Sequence, residues 1–213
     1  MSTVIFANGI LDWEPDPADL VKDADLIIAA DGGANHCRKL NITPDILIGD
    51  LDSIDPALLA DYQRKDVPIH RHPRRKDATD LELALDLAVA KGARKIRLFG
   101  VLGGRWDMSM ANILLTSADK YKKQQISLLS RDCCMRILHA EIDHLLSGAP
   151  GRKVSLVPLT SDAQGVSLTG FEYPLSDHTI PFGSSLGVSN VMTGSTATVR
   201  QQKGVLLCII LSE

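Results

Sequence analysis

Cysteine and histidine are scarce in this chain and badly spaced for soft-metal chemistry. None of the four cysteines, Cys37, Cys133, Cys134 and Cys208, stands in a CxxC pair. Adjacent Cys133 and Cys134 make a poor disulfide pair, so buried thiols are expected rather than a disulfide framework or a thiolate zinc site. The six histidines form no HxxxH or HExxH pattern. His70 and His72 could share a metal, but alternation along a strand explains that pair equally well. Long hydrophobic runs are also missing. The stretch Val205 to Leu211 is of strand length, far short of a membrane span. A net charge of -3 gives no general attraction to nucleic acid or to an anionic membrane, so any phosphate must be met locally. Both GxxxxGK[ST] and a well-spaced GxGxxG are absent, which excludes a P-loop and the dinucleotide fingerprint. The first residues carry Asp12, Glu14 and Asp16 without a basic leader, so no signal peptide and a cytoplasmic location are expected.

What is present is a soluble composition, 45% hydrophobic over 213 residues, enough for one large or two small domains. Buried-strand patterns repeatedly end in acid or glycine. Ile46-Leu47-Ile48-Gly49 runs into Asp50-Leu51-Asp52-Ser53, and Leu26 to Ala30 runs into Asp31-Gly32-Gly33. In an open α/β sheet the carboxyl ends of strands are where ligands bind. Two close carboxylates are comfortable there only if a cation or a proton offsets their repulsion. An Asx-turn and a helix cap are the plain alternatives. A first strand over residues 3 to 7 stops at the turn Asn8-Gly9, where a nucleotide could approach the backbone. The segment from Asp12 to Asp19 reads as a loop entering a short helix.

Further along, Pro56 to Arg64 reads as helix and Val67 to His70 as a short edge strand. Arg71, Arg74, Arg75 and Lys76 form a basic cluster suited to polyphosphate, directly before Asp77, Thr79 and Asp80. Those three open a helix whose apolar positions are Leu81, Ala84, Leu85, Ala88 and Val89. A strand over Ile96 to Gly100 leads to Gly103-Gly104-Arg105-Trp106-Asp107 and a helix whose apolar face should include Met110, Ile113 and Leu114. With Ile126 to Leu129 as another strand, the alternation predicts an α/β domain over 1–140, its sheet mostly parallel. Residues 141–213 change texture to short strands separated by Gly, Pro and Asp, which predicts an antiparallel β-sandwich domain.

Taken in order, Asp31-Gly32-Gly33, Gly49-Asp50-Leu51-Asp52-Ser53, Lys76-Asp77-Ala78-Thr79-Asp80, Gly103-Gly104-Arg105-Trp106-Asp107, Gly170-Phe171-Glu172-Tyr173-Pro174-Leu175 and Ser189-Asn190 resemble the motifs of thiamine pyrophosphokinases. The resemblance spans nearly the whole chain. It implies transfer of pyrophosphate from ATP to thiamine, giving thiamine diphosphate and AMP. It also implies Mg²⁺ held by Asp50, Asp52 and Asp80, and a homodimer with its active sites at the subunit interface. Asp31 joins those three as a catalytic candidate. Gly32, Gly33, Arg71, Arg74, Lys76, Asp77, Thr79 and Arg105 are candidates for ATP and its phosphates. Asp107, Ser189 and Asn190 are candidates for thiamine. Two departures stand out: Met108 occupies a position where the family commonly has His, and no Trp follows Ser189-Asn190. Competing readings are a haloacid-dehalogenase-like phosphatase with Asp50 as nucleophile, and a catalytically silent thiamine- or nucleotide-binding sensor. No nucleic-acid or membrane partner is expected.

Overall fold

The computed structural model describes residues 1–12 and 16–212 of the chain. It divides into two compact units, Met1–Arg131 and Asp132–Glu213.

The first unit alternates strand and helix. In chain order these are β1 (Ser2–Phe6), α1 (Pro17–Val21), β2 (Leu26–Ala30), α2 (Gly33–Lys39), β3 (Ile46–Gly49), α3 (Pro56–Arg64), β4 (Ile69–Arg71), α4 (Asp80–Ala90), β5 (Lys95–Phe99), α5 (Trp106–Thr116) and β6 (Gln125–Leu129). Its strands lie side by side as β6-β5-β1-β2-β3-β4, every neighbouring pair parallel. Apolar side chains project to both faces, which is why Val4, Ile5 and Phe6 are all fully buried. Val4, Phe6, Ala29 and Leu47 share one core with residues of α2 and α3, including Cys37, Leu58 and Tyr62. Leu81, Ala84, Leu85 and Ala88 are the buried positions of α4, which packs against β1, β2 and β3.

Local chemistry starts the helices where the sequence suggests. Asp55 Oδ1 accepts from the backbone N–H of Ala57 (2.8 Å) and Leu58 (3.2 Å), and Pro56 loses nothing at a helix's first position. Thr79 Oγ1 accepts from Glu82 N at 3.2 Å and opens α4. The loop expected over Asp12 to Asp19 lies partly outside the described residues; at its end Asp16 caps α1 by accepting from Ala18 N at 2.9 Å.

The face expected for α5 is reversed. Met110 and Leu114 are 55% and 46% exposed, Ile113 is half-buried, and the buried positions are Ser109, Asn112 and Thr116. The cause lies in the loop before the helix. Gly103 N–H donates to Ser109 Oγ at 3.0 Å, and Asn112 Nδ2 donates to the Val101 carbonyl at 2.7 Å. Backbone groups removed from water need partners, and that need outranks burying a few methyl groups.

The chain leaves β1 toward β4 on one side, then returns to lay β5 and β6 on the other. The order of strands therefore reverses between β1 and β5, and the crevice outside their carboxyl ends is where an open α/β sheet binds ligands.

The second unit contains β7 (Cys133–His139), β8 (His144–Ser147), β9 (Lys153–Pro158), β10 (Ala163–Thr169), β11 (Leu175–Ile180), β12 (Asn190–Val191), β13 (Thr196–Arg200) and β14 (Val205–Leu211). Two antiparallel runs, β12-β9-β14-β7 and β11-β10-β13-β8, share one core. Leu138, Leu156 and Leu206 enter it from one run, and Leu146, Val166 and Val199 from the other. β7 pairs with β14 along its whole length, from Cys133 opposite Leu211 to His139 opposite Val205, so this unit begins at Asp132, upstream of the texture change near residue 140. None of the four cysteines forms a disulfide. Among the described residues no helix is long and apolar enough to cross a membrane.

Candidate active site

The site is built from two neighbouring sets of strand ends, both in the first unit. At the end of β3, Gly49 adopts φ 138°. A Cβ there would lie 2.9 Å from Asp80 Oδ1 and 3.2 Å from Asp31 Cβ. Only glycine lets those two acids close over the strand end. Asp31 (φ 46°) and Leu51 (φ 67°) are also left-handed, a strained setting for residues with side chains. Leu51 turns into the core, which leaves Asp50 and Asp52 facing the other way.

As a result Asp31, Asp50 and Asp52 each present a carboxylate oxygen, all within 4.8 Å of one another. Asp31 is only 7% exposed. The backbone supports the trio: Ser53 N–H donates to Asp31 Oδ1 (3.3 Å) and Asp52 N–H to Asp50 Oδ1 (3.2 Å). Ser53 Oγ adds a 3.0 Å hydrogen bond to Asp52 Oδ1.

Lys76 stands between two acids, its Nζ 3.0 Å from Asp80 Oδ1 and 3.5 Å from Asp50 Oδ2. Asp80 Oδ1 is buried and, apart from that contact, has no hydrogen-bond donor. Burial lifts the Asp80 carboxyl above the usual carboxylate range; Lys76 pulls it back, and the charges of Asp50 and Asp31 add to the rise. Asp50 goes the other way. Burial opposes its charge too, but the Asp52 N–H and the Lys76 ammonium outweigh it and hold the carboxyl low. For Lys76, burial is outweighed by its two acidic partners, so the ammonium holds its proton more tightly than usual. Neighbouring carboxyl groups driven apart in proton affinity are a mark of acid–base chemistry.

At the other strand ends the turns themselves carry no charged side chain, and the nearest charges, Arg105 and Asp107, come later in the loop after β5 and at the start of α5. Gly9 N–H donates to the Gly100 carbonyl at 2.6 Å, and Ile10 N–H to Leu102 O at 3.2 Å, so the turns after β1 and β5 are tied together. A Cβ on Gly9 would stand 2.4 Å from Gly100 O. Between the charged and uncharged ends lies a cleft of ≈ 640 Å³, of ordinary size for a small-molecule site.

Of the residues singled out in the sequence, Asp31, Asp50, Arg74, Lys76, Thr79, Asp80 and Arg105 line this cleft. Asp52 joins through the carboxylate trio and pairs with Arg74 at 3.3 Å. Asp80, grouped with Asp50 and Asp52 as a metal ligand on the resemblance, has Lys76 Nζ 3.0 Å from its Oδ1, and it is Asp31 that lies with Asp50 and Asp52 in the trio. Arg71 and Asp77 are exposed and lie outside the lining. Gly32 and Gly33 also lie outside it. A Cβ on Gly33 would meet the Phe6 carbonyl oxygen at 2.0 Å, and one on Gly32 the Asn8 side chain at 2.1 Å. Their missing side chains therefore serve close helix–strand packing beneath the β1 turn.

Asp107 pairs with Arg105, whose Nε donates to Asp107 Oδ1 at 3.1 Å. In the second unit Asn190 is spent on the backbone of Tyr173, accepting from its N–H (3.1 Å) and donating to its carbonyl (2.8 Å). Ser189 beside it is exposed and left-handed, at φ 61°. Met108 lines the cleft. So do Asn8, from the turn where a nucleotide was expected to approach, and Asn112, which sequence reasoning did not single out. Ser109, Asn112 and Thr116 share one helical face, and polar residues at that spacing were the available signal.

Comparisons with known proteins agree with one another. The family model "Thiamin pyrophosphokinase, catalytic domain" matches residues 17–128, and "Thiamin pyrophosphokinase, vitamin B1 binding domain" matches residues 140–206. The thiamine pyrophosphokinase of Bacillus subtilis is 31% identical over 98% of each chain. A crystal structure of thiamine pyrophosphokinase from Bacillus subtilis superposes with a TM-score of 0.90 at 29% identity, covering 100% of both chains. One from Geobacillus thermodenitrificans gives 0.87 at 29% identity, over 100% of this chain and 98% of that one.

Proposed function

The chain belongs to the thiamin pyrophosphokinase family and has that family's activity, ATP-dependent pyrophosphoryl transfer to thiamine, and we propose that the cleft of the first unit is where this chemistry takes place. The observation that carries the reading is the convergence of Asp31, Asp50 and Asp52 within 4.8 Å, beside Lys76 and at the mouth of a cleft. Three carboxylates are hard oxygen donors, a set that fits Mg²⁺ together with substrate phosphates and water. Asp31, Asp50 and Asp52 would hold the ion, which when bound neutralises charge on the triphosphate.

The chain's own groups account for the rest. Lys76, Arg74 and Arg105 line the cleft and offset phosphate charge that develops as the transferred group moves. The thiamine hydroxyl oxygen forms a bond to the β-phosphorus. The bond from that phosphorus to the α,β-bridging oxygen breaks, and AMP leaves with the electron pair. The hydroxyl proton passes to Asp80, whose half-buried carboxyl has the raised proton affinity that suits a base. Little covalent help is needed, because positioning and charge stabilisation dominate phosphoryl-type transfer.

Thiamine itself is assigned to Asp107 and to the Ser189 turn shaped by Asn190. The second unit is read as a β-sandwich, and the molecule as a cytoplasmic homodimer whose subunits meet at the thiamine site. Exposed apolar side chains support a covered surface: Trp106 (87%) and Met110 on the first unit, Tyr173 and Phe182 on the second. Light scattering tests the dimer. The decisive assay is AMP release from ATP, Mg²⁺ and thiamine. Purified protein that binds both substrates yet releases no AMP over hours would exclude the reading and leave a silent sensor, and a phosphoenzyme at Asp50 would restore the phosphatase.

A further inference from the structure

Below the uncharged end of the cleft, α2 brings His36 under the β1 turn. Its Nε2 lies 2.8 Å from the Gly9 carbonyl oxygen. A carbonyl only accepts, so Nε2 carries the proton. The ring is half-buried, and its Cδ2 lies 3.4 Å from where a Gly100 Cβ would be, so it touches the β5 turn as well.

One peptide group then does two things. The Gly9 C=O points to His36, while the N–H of that same peptide, belonging to Ile10, donates to Leu102 O at 3.2 Å. The peptide bridges α2 to the loop after β5. Glycine gives this peptide plane more freedom to rotate than any other residue would, so the hydrogen bonds at its two ends matter to where it sits. Rotation would break the Leu102 contact and move Ile10, whose side chain packs within 3.0 Å of the position of a Gly103 Cβ. Gly9, Ile10, Gly103 and Gly104 all line the cleft.

We propose that His36 is a positioning residue for the nucleotide: its Nε2–H on the Gly9 carbonyl locks the β1 turn against the β5 turn and so sets the shape of the cleft at the strand-order reversal. The inference rests on reading that cleft as the ATP site. Lys39, on the same helix, is the charged group that bears on the ring, and Gly9 and Gly100 present only backbone to it.

Binding of a non-hydrolysable ATP analogue with Mg²⁺, and separately of thiamine, is measured by calorimetry on wild type, His36→Leu and His36→Gln. Glutamine places an amide N–H near the position of Nε2, whereas leucine fills the space without a donor. His36→Leu is expected to weaken the analogue about tenfold, the worth of one good hydrogen bond, with thiamine affinity unchanged and most of the loss recovered in His36→Gln. Should the leucine variant not fold, His36→Asn, too short to reach Gly9, takes its place in the same comparison. Unchanged analogue affinity with a lowered Tm would overturn the inference and leave His36 as packing only. Equal losses for both ligands would overturn it as well. Wild-type protein that binds no analogue would refute the nucleotide cleft itself, and this inference with it.

Discussion

The two ends of the cleft are built on opposite principles. Around β3 and α4, side chains carry the site: Asp31, Asp50, Asp52, Asp80 and Lys76 lie close together, held by one another's charge. Around β1 and β5, backbone carries it: glycine turns are tied by N–H···O=C bonds and braced from beneath by His36, Ser109 and Asn112. The charged end can bind and polarise phosphate but would repel its own members if left alone. The uncharged end fixes a shape through backbone and amide groups, and its titratable brace, His36, is engaged with the Gly9 carbonyl. The difference predicts that substitutions at the first change kcat, and those at the second change nucleotide affinity.

The largest expected effect breaks the charged end at its centre. Asp50→Asn should lower kcat/KM by at least about 1000-fold, roughly 4 kcal/mol of transition-state stabilisation. Stability should hardly change, with Tm within about 3 °C of wild type. Relief of the repulsion Asp80 feels from Asp50 is offset by the lost contact with Lys76. A variant that keeps a tenth of its activity would remove Asp50 from the site.

Next in size is Lys76→Met, expected to lower kcat about 100-fold by removing a cation that meets phosphate charge. It also leaves Asp80 Oδ1 buried without its partner, so Tm should fall. Adding Asp80→Asn should restore Tm and leave kcat low, a non-additive pair because the two groups touch. If the double variant were no more stable than Lys76→Met, the account of the Asp80 environment would be wrong.

Asn112→Leu probes the uncharged end. Loss of its bond to the Val101 carbonyl should cost about 1–3 kcal/mol of stability. KM for ATP should rise about three- to tenfold with kcat near wild type. A fall in kcat alone would abolish the division between the two ends.

That division also explains what could be read in advance. Asp50-Leu51-Asp52, Lys76 and Asp80 announce themselves because charged residues at the ends of apolar runs have few structural uses. The mostly parallel sheet needed only the alternation of buried runs with amphipathic helices. Leu81, Ala84, Leu85 and Ala88 are buried as the helical period requires. On α5 the same logic picked the wrong face, because periodicity counts apolar side chains and is blind to backbone groups that need partners. Gly32 and Gly33 drew attention as a phosphate loop, yet what their bareness permits is contact with Phe6 and Asn8. Asn190, expected at the thiamine site, hydrogen-bonds the backbone of Tyr173. The neighbours of Gly32, Gly33 and Asn190 lie far along the chain, where local pattern carries no information, whereas those of Ser109 and Asn112 lie in the loop just before α5.

The smallest effect sharpens the comparison through pH. Burial, set against the Gly9 carbonyl and helped by Lys39, depresses the His36 pKa below 6.5 in the folded protein. The unfolded chain therefore binds a proton there more readily. The stability contributed by a neutral His36 is fully present above pH 6.5 and is lost as pH falls through the folded value. His144 in the second unit is depressed as well, mainly by burial, so wild type should lose Tm on acidification for two reasons. His36→Gln removes one of them. Between pH 7.5 and 5.5 its Tm should fall by less than that of wild type. Equal slopes would mean that His36 takes up its proton as readily in the fold as in the unfolded chain, so that the ring is cationic at the lower pH. A cationic ring could still donate to Gly9, but the uncharged end of the cleft would then hold a charge.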